Sequence, residues 1–294
     1  MPRSVRPLLL ALAALSAVPA GAQNRTLTTP ELSPHARVEQ TVGLTDLVVD
    51  YHRPATRGRA IYGDLVPFGE VWRAGANENT VFETSTDVMV EGQPLAAGRY
   101  GLHTIPGETE WTVIFSTMAD AWGSYSYEEA EDALRVTVMS REAPHAERLA
   151  YRFDAPNEDG ATLVLHWAER EVPVAITVDT PGVVLASMER ELRGIPGFFW
   201  EGWNQAAQYA LDHDLRLADA MGWVETSIER QPTFANRMTK AGLLAATGQD
   251  AEADEVREDA FANASADEIR AWARSRQQAG FAQQAQSALA RLGG

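Results

Sequence analysis

The chain has 294 residues and carries 41 acidic residues against 25 basic ones, which gives a net charge of −16 at pH 7. An acidic surface repels nucleic-acid phosphates and anionic lipid headgroups, so the charge argues against both kinds of partner. The sequence contains no cysteine, which excludes disulfides and thiol catalysis. The length is sufficient for one large domain or two ordinary ones.

The N-terminus has the three parts of a secretory signal peptide. Arg3 and Arg6 precede an apolar run over residues 8–15, and small residues lead to Ala20-Gly21-Ala22, an A-x-A cleavage site. A membrane anchor needs about 20 apolar residues, and Pro19 interrupts this run too early. We therefore expect a signal peptide over residues 1–22 that is cleaved after Ala22. The mature chain is expected to be periplasmic or secreted, without membrane insertion.

From about residue 37 to residue 178, apolar side chains recur mainly at every second position. The runs are short, rich in β-branched and aromatic residues, and separated by clusters of Gly, Pro, Asn and Asp. This rhythm without helical patterns predicts an antiparallel β-sandwich or barrel. The predicted strands are Leu44–Tyr51, Arg99–Ile105, Trp111–Ser116, Leu134–Val138, Leu149–Phe153, Thr162–Trp167 and Val172–Val178.

The period changes at Thr180-Pro181-Gly182, and the rest of the chain is Ala-rich with helical spacing. Breaks are expected at residues 194–197, 213–214 and 231–232, and at Gly248. Gly248 and Gly280 stand in similar surroundings 32 residues apart, close to the period of about 34 residues of a tetratricopeptide helix pair. The predicted fold is mainly β plus α, with a β-sandwich domain over residues 33–180 and a helical, repeat-like tail over residues 181–294.

Residues 53–80 join two predicted strands without a period of their own. A connection of this length is uncommon unless it is functional or disordered. Disorder would leave seven large apolar side chains in water, so we expect an ordered and partly buried loop. These side chains are Ile61, Tyr62, Leu65, Val66, Phe68, Val71 and Trp72.

The same loop concentrates positive charge in an acidic chain, through Arg53, Arg57, Arg59 and Arg73. Guanidinium groups suit carboxylate or phosphate ligands, and neighbouring aromatic rings can stack on a ligand. The alternative is structural, since these arginines can also pair with acidic residues and hold the loop in place. The acidic candidates are Asp64, Glu70, Glu78 and Asp87.

The most specific pattern lies in and around this loop. It comprises Tyr51-His52-Arg53-Pro54, residues 58–69 (GRAIYGDLVPFG), residues 71–80 (VWRAGANENT), residues 95–102 (LAAGRYGL) and residues 110–115 (EWTVIF). These stretches resemble the DUF2911 family of exported bacterial proteins, over roughly residues 33–178. The resemblance implies a β-sandwich and an export signal, and the tail is similar to the helical extension of longer members. It implies no reaction, because the family is named for its unknown function.

The predicted ligand site lies along this loop and the strands beside it. Arg53, Arg59 and Arg73 are expected to hold an anionic group, Asn77 and Glu78 to donate or accept hydrogen bonds, and Trp72, Trp111 and Trp122 to stack on the ligand. An alternative metal site uses His52, His103 and His166, one on each of three predicted strands, with Glu78 as a further ligand. No cofactor is predicted, because phosphate-binding and dinucleotide-binding glycine motifs are absent from the sequence.

Three functions remain open at this stage. The first is a ligand-binding or interaction module for a small anionic or polar ligand. The second is a periplasmic hydrolase, either metal-assisted or acting on glycosides through a carboxylate pair such as Glu70 and Glu78. The third is a scaffold whose helical tail presents a groove to a protein partner.

Overall fold

A computed structural model describes residues 29–293, and the predicted signal peptide lies outside this range. Within it, two antiparallel sheets are followed by seven α-helices, which confirms the predicted fold class. The strands are β1 (His35–Val42), β2 (Thr45–His52), β3 (Thr80–Thr84), β4 (Val88–Val90), β5 (Gln93–Leu95), β6 (Gly98–Ile105), β7 (Glu110–Ser116), β8 (Asp132–Met139), β9 (Arg141–Asp154) and β10 (Gly160–Thr177).

The larger sheet has the strand order β1-β2-β3-β6-β7-β8, and the smaller one has the order β5-β4-β10-β9. Alternate residues of β7, namely Trp111, Val113 and Phe115, are buried in the core between the sheets. Trp167 on β10 approaches from the opposite sheet and is also fully buried. Every second side chain of a strand points to the same face of its sheet. The alternation of apolar residues in the sequence therefore reflects the side chains that each strand directs into this core.

One long strand replaces two predicted ones. The sequence predicts separate strands at Thr162–Trp167 and Val172–Val178, whereas β10 continues through both. The pairing of β10 with β9 shifts register on both sides of Ala168, whose φ is 51°. A β-bulge of this kind bends a strand without ending it. The polar residues between the two apolar runs therefore mark a bulge rather than a turn.

The seven helices of the tail are a single helix followed by three pairs of consecutive helices. They are α1 (Thr180–Glu191), α2 (Trp200–Asp212), α3 (Leu217–Arg230), α4 (Phe234–Ala246), α5 (Asp250–Asn263), α6 (Ala266–Gln278) and α7 (Ala282–Ala290). The predicted breaks fall between helices. Gly248 and Gly280 take φ values of 81° and 87° at the turns of the pairs α4–α5 and α6–α7. A left-handed backbone at a helix end favours glycine. The similar sequences around Gly248 and Gly280 thus occupy equivalent turns.

Helix α1 connects the sandwich to the other helices. The Asp179 carboxylate accepts a hydrogen bond from the Gly182 amide and caps the helix. Val183 packs against the sandwich core, while Leu185 is buried with α2, α3 and α4. Among the helices of residues 29–293, none combines the length and apolar character needed to cross a membrane.

A buried ion pair joins the first and the third helix pair of the tail. The Arg276 guanidinium on α6 donates two hydrogen bonds to the Asp212 carboxylate at the end of α2, at 2.8 and 2.6 Å, and a third to Gln284. Arg276 is 4% exposed. Such a charge is tolerated in the interior only while its partner is present.

We expect Asp212→Ala to lower the free energy of unfolding by about 3–5 kcal/mol, because it leaves the Arg276 guanidinium buried without a counter-charge. Asp267→Ala is the matched control, since it breaks an exposed ion pair with Arg270 on the same helix as Arg276 and should change little. Urea unfolding of both variants provides the measurement. Equal effects of the two substitutions would show that the Asp212–Arg276 pair does not stabilise the tail.

Candidate functional site

The long loop between β2 and β3, over residues 53–79, is ordered by burial and by backbone bridges. Ile61, Val66 and Ala74 are buried, as the apolar content of the loop predicts. Trp72 donates its backbone N–H to Thr104 of β6 and accepts one from it, both at 2.8 Å. The loop therefore closes one end of the sandwich and is fixed to the larger sheet.

Two of the predicted stacking residues belong to the core. The Trp72 ring stacks on Trp167, with centroids 5.9 Å apart, and Tyr62 packs edge-on against Trp111 at 5.1 Å. Trp111 is only 1% exposed. Neighbouring rings thus occupy the surfaces that a ligand would need, and burial raises the pKa of the Tyr62 hydroxyl well above its usual range. We assign Trp72 and Trp111 to anchoring the loop.

Two of the loop arginines hold backbone carbonyls. Arg53 donates Nε–H to the Leu149 carbonyl at 3.0 Å, and Arg59 donates to the carbonyls of Ala55 and Thr56 at 2.7 and 2.9 Å. Both residues thus satisfy carbonyls of an irregular segment that has few ladder hydrogen bonds. These two arginines thus hold the loop in place, as the structural alternative predicts, but through carbonyls rather than through acidic residues of the loop.

Arg73 is placed differently, facing the exposed side of the molecule beside Trp122. It donates Nη1–H to the Asn77 carbonyl at 3.0 Å, and its guanidinium carbon lies 5.4 Å from the centre of the Trp122 ring. Its buried Nε has no hydrogen-bond partner among the described residues. Gly123 has a φ of 75°, and a β-carbon there would come within 2.2 Å of Arg73 Nη1. Only glycine permits this approach.

The second half of the site comes from residues 117–131, the connection between β7 and β8. We call it the covering segment, because it lies over the outer face of the larger sheet. The Asn79 backbone N–H donates to the Ala121 carbonyl at 3.2 Å and its side chain donates to the Met118 carbonyl at 3.3 Å. Gly101 lies directly beneath, since a β-carbon there would be 2.5 Å from the Met118 oxygen.

His103 fixes the covering segment from below. Its ring is 2% exposed, lies 5.3 Å from the Tyr127 ring, and is hydrogen-bonded through Nδ1 to the Ser124 hydroxyl at 2.9 Å. Burial lowers the His103 pKa to about 4, so the imidazole is neutral at pH 7. Asn79, Ser124 and Tyr125 were not among the predicted ligand-site residues. Of residues 117–131, Trp122 alone was among the predicted ligand-site residues.

The three predicted metal-ligand histidines lie in different surroundings. His52 faces the carboxylates of Glu31 and Glu78, each at 3.5 Å, and His166 donates to the Pro144 carbonyl at 2.9 Å. His103 is buried under the covering segment. Among residues 29–293, no group of three His, Asp or Glu side chains is arranged to hold a metal ion. The histidine metal site is therefore not assembled in this structure.

The remaining predicted residues flank the Arg73 position. Asn77 donates its side-chain amide to the Glu31 carboxylate at 3.3 Å and to the Ser33 carbonyl at 3.4 Å. The exposed Glu78 carboxylate faces His52. Of the eight predicted ligand-site residues, the structure thus places Arg73 in contact with both Asn77 and Trp122.

Comparison with known proteins gives one match. The model of a family described as "Protein of unknown function (DUF2911)" matches residues 33–176. No curated protein and no solved structure matches the chain. The matched range contains Arg73, His103 and the covering segment, and it ends before α1.

The low pKa of His103 predicts a specific pH dependence of stability. In the unfolded chain the imidazole binds a proton near pH 6.5, whereas in the folded protein it does so only near pH 4. Between these values the unfolded state binds more protons, so acidification through this window lowers the free energy of unfolding. His103→Asn retains a polar side chain but has no titrating ring.

We therefore expect the stability advantage of the wild-type protein over His103→Asn to shrink as the pH falls from 7 to 4. Urea unfolding at several pH values measures both proteins, and their other titrating groups cancel in the comparison. A difference that stays constant across this range would contradict a buried, neutral His103.

Proposed function

The chain belongs to the DUF2911 family through residues 33–176, and we propose that this domain binds a small anionic ligand on its surface beside Arg73. We call this place the Arg73 surface and define it by Arg73, Asn77, Trp122, Ser124 and Tyr125. The observation that carries the proposal is the position of the Arg73 guanidinium. It is held between the loop backbone and the Trp122 ring, in contrast to the guanidinium groups of Arg53 and Arg59.

The chemistry of this guanidinium favours an anion. An arginine side chain has five N–H donors, and a carboxylate or phosphate accepts two of them at once. Arg73 uses Nη1 on the Asn77 carbonyl, and no hydrogen bond of its Nη2 group is found within the described chain. The chain as a whole carries a net charge of −16, which does not attract an anion over a long distance. The attraction to an anion is therefore local.

The aromatic pair beside Arg73 favours a flat ligand. Trp122 is 60% exposed and Tyr125 is 83% exposed, yet their rings are stacked, with centroids 5.9 Å apart and planes inclined by 10°. Large aromatic groups in water lose the free energy that burial would give them. A ring or a sugar face placed on this pair would recover part of it. The ligand class we propose is a carboxylate or phosphate attached to a ring or a sugar.

A hydrolase that uses the same surface is the second candidate. The observation that favours it is the hydrogen bond between the Ser124 hydroxyl and the neutral His103 imidazole, next to the Arg73 guanidinium. A hydroxyl paired with a neutral imidazole is the arrangement from which serine nucleophiles are activated. The glycoside alternative through Glu70 and Glu78 has less support, because the carboxylate that shares His52 with Glu78 is that of Glu31, not that of Glu70.

Thermal unfolding of the mature chain, from Gln23 onward, tests ligand binding. The probes are phosphate, glucose 6-phosphate, glucose and benzoate. We expect glucose 6-phosphate or benzoate to raise the melting temperature, since a ligand at 100-fold excess over its Kd adds about 2.7 kcal/mol of stability. Arg73→Gln should weaken binding about tenfold or more, because a hydrogen bond to a charged group contributes about 1.5–3 kcal/mol.

Two further variants make this test specific. Arg37→Gln is the matched control, as Arg37 is exposed on β1 of the same sheet and should leave binding unchanged. Trp122→Ala should reduce binding of the ring-bearing probes more than binding of phosphate. The proposal fails if no probe shifts the melting temperature, or if Arg73→Gln binds as well as the wild type. Turnover of a phenyl ester or phosphoester that Ser124→Ala abolishes and Ser126→Ala retains would instead favour the hydrolase.

A further inference from the structure

The helical tail contains a cavity that is separate from the Arg73 surface. It has a volume of about 360 Å³ and lies among α2, α4, α5, α6 and α7. This volume is within the range of about 300–1,000 Å³ found for small-molecule sites. Apolar and aromatic groups form most of its wall, and the main ones are Leu211, Met238, Phe261, Trp272 and Ala288.

The floor of the cavity is formed by closely packed helices. Gly242 of α4 lies against α2, where an added β-carbon would be 2.6 Å from Leu211 Cδ2. Trp272 is held by edge-on packing against Phe234, with centroids 5.7 Å apart. Beneath the cavity, the charge of Arg276 is neutralised by Asp212. The cavity is therefore fixed by packed side chains, and its floor carries no unbalanced charge.

Two arginines stand at the rim. Arg257 forms an ion pair with Asp254 on its own helix. Arg291 lies over the Phe261 ring, with its guanidinium carbon 4.4 Å from the ring centre. Among the ion pairs of the tail within residues 29–293, Arg257 and Arg276 have carboxylate partners and none is found for Arg291. The rim thus presents a cation, held by an aromatic face, above an apolar interior.

We propose that this cavity binds a carboxylate with an apolar body, with the carboxylate at Arg291 and the apolar part between Phe261 and Trp272. Guanidinium groups pair with carboxylates through two hydrogen bonds, and the apolar wall favours a hydrocarbon or aromatic group. Two sources supply this chemistry, namely the C-terminus of a peptide that ends in an apolar residue and a free aromatic or aliphatic acid. The site is independent of the Arg73 surface.

Isothermal titration of the mature chain tests the proposal with three probes: N-acetyl-Leu-Phe as the free acid, the same dipeptide as its C-terminal amide, and 3-phenylpropionate. We expect the free acid to bind and the amide to bind at least tenfold more weakly, because the amide has no charge for Arg291. Binding of 3-phenylpropionate as tight as that of the peptide would identify a free acid as the source. Binding of the peptide acid alone would identify a chain terminus.

Matched variants separate the cavity from the rest of the protein. Arg291→Gln should weaken binding of the free acid at least tenfold, and Ser287→Phe should block it by filling the mouth of the cavity from an exposed position. Arg274→Gln, an exposed position on α6, should bind normally, and so should Arg73→Gln. Equal binding of acid and amide, unchanged binding by Arg291→Gln, or no binding of any probe would overturn the proposal.

Discussion

The structure depends on aromatic side chains of the long loop being buried at one end of the sandwich. Tyr62 and Trp72 pack against Trp111 and Trp167, which come from opposite sheets, and the Trp72 backbone bridges β6. Burial of large aromatic side chains contributes several kcal/mol each. This offsets the entropy lost in ordering a segment that has no regular structure. The anchored loop then holds Arg73 at a fixed place at this end of the sandwich.

The Arg73 surface is a consequence of a second constraint, the attachment of the covering segment. Asn79, at the end of the loop before β3, and His103 on β6 bind it, and Gly101 leaves room for its backbone. The buried hydrogen bonds beneath the segment stabilise the protein only while both partners are in place. A buried donor or acceptor that loses its partner costs free energy. The same bonds that stabilise the segment therefore place Trp122 against Arg73.

Much of the fold could be predicted from the sequence, because the strands and helices follow the hydrophobic period. The positions of β2, β6, β7 and β8, the change near Thr180 and the equivalent turns at Gly248 and Gly280 follow from spacing and turn residues, whereas β1, β3, β4 and β5 were not predicted. The long strand β10 could not, because a bulge at Ala168 leaves a polar interruption that looks like a turn. A bulge is defined by how a strand pairs with its neighbour, and the local sequence of one strand does not contain that information.

The site was predictable only in part, for a related reason. Composition identified the arginines and aromatic residues of the loop, but contacts decide which of them face the surface. Arg53 and Arg59 turn to carbonyls, Trp111 points into the core, and only Arg73 meets Trp122. Ser124 and Asn79 form hydrogen bonds with residues that are distant in sequence, namely His103 and Met118. Their place in the site therefore could not be predicted from a single sequence.

Hydrogen exchange followed by mass spectrometry in Gly101→Ala tests most directly whether the covering segment assembles the Arg73 surface. The added β-carbon would lie 2.5 Å from the Met118 carbonyl oxygen and must displace the segment. We predict faster exchange in residues 117–131 and around residues 73–79, with β9 and β10 as protected as in the wild type. Unchanged exchange in the covering segment, or an equal rise across both sheets, would contradict this account.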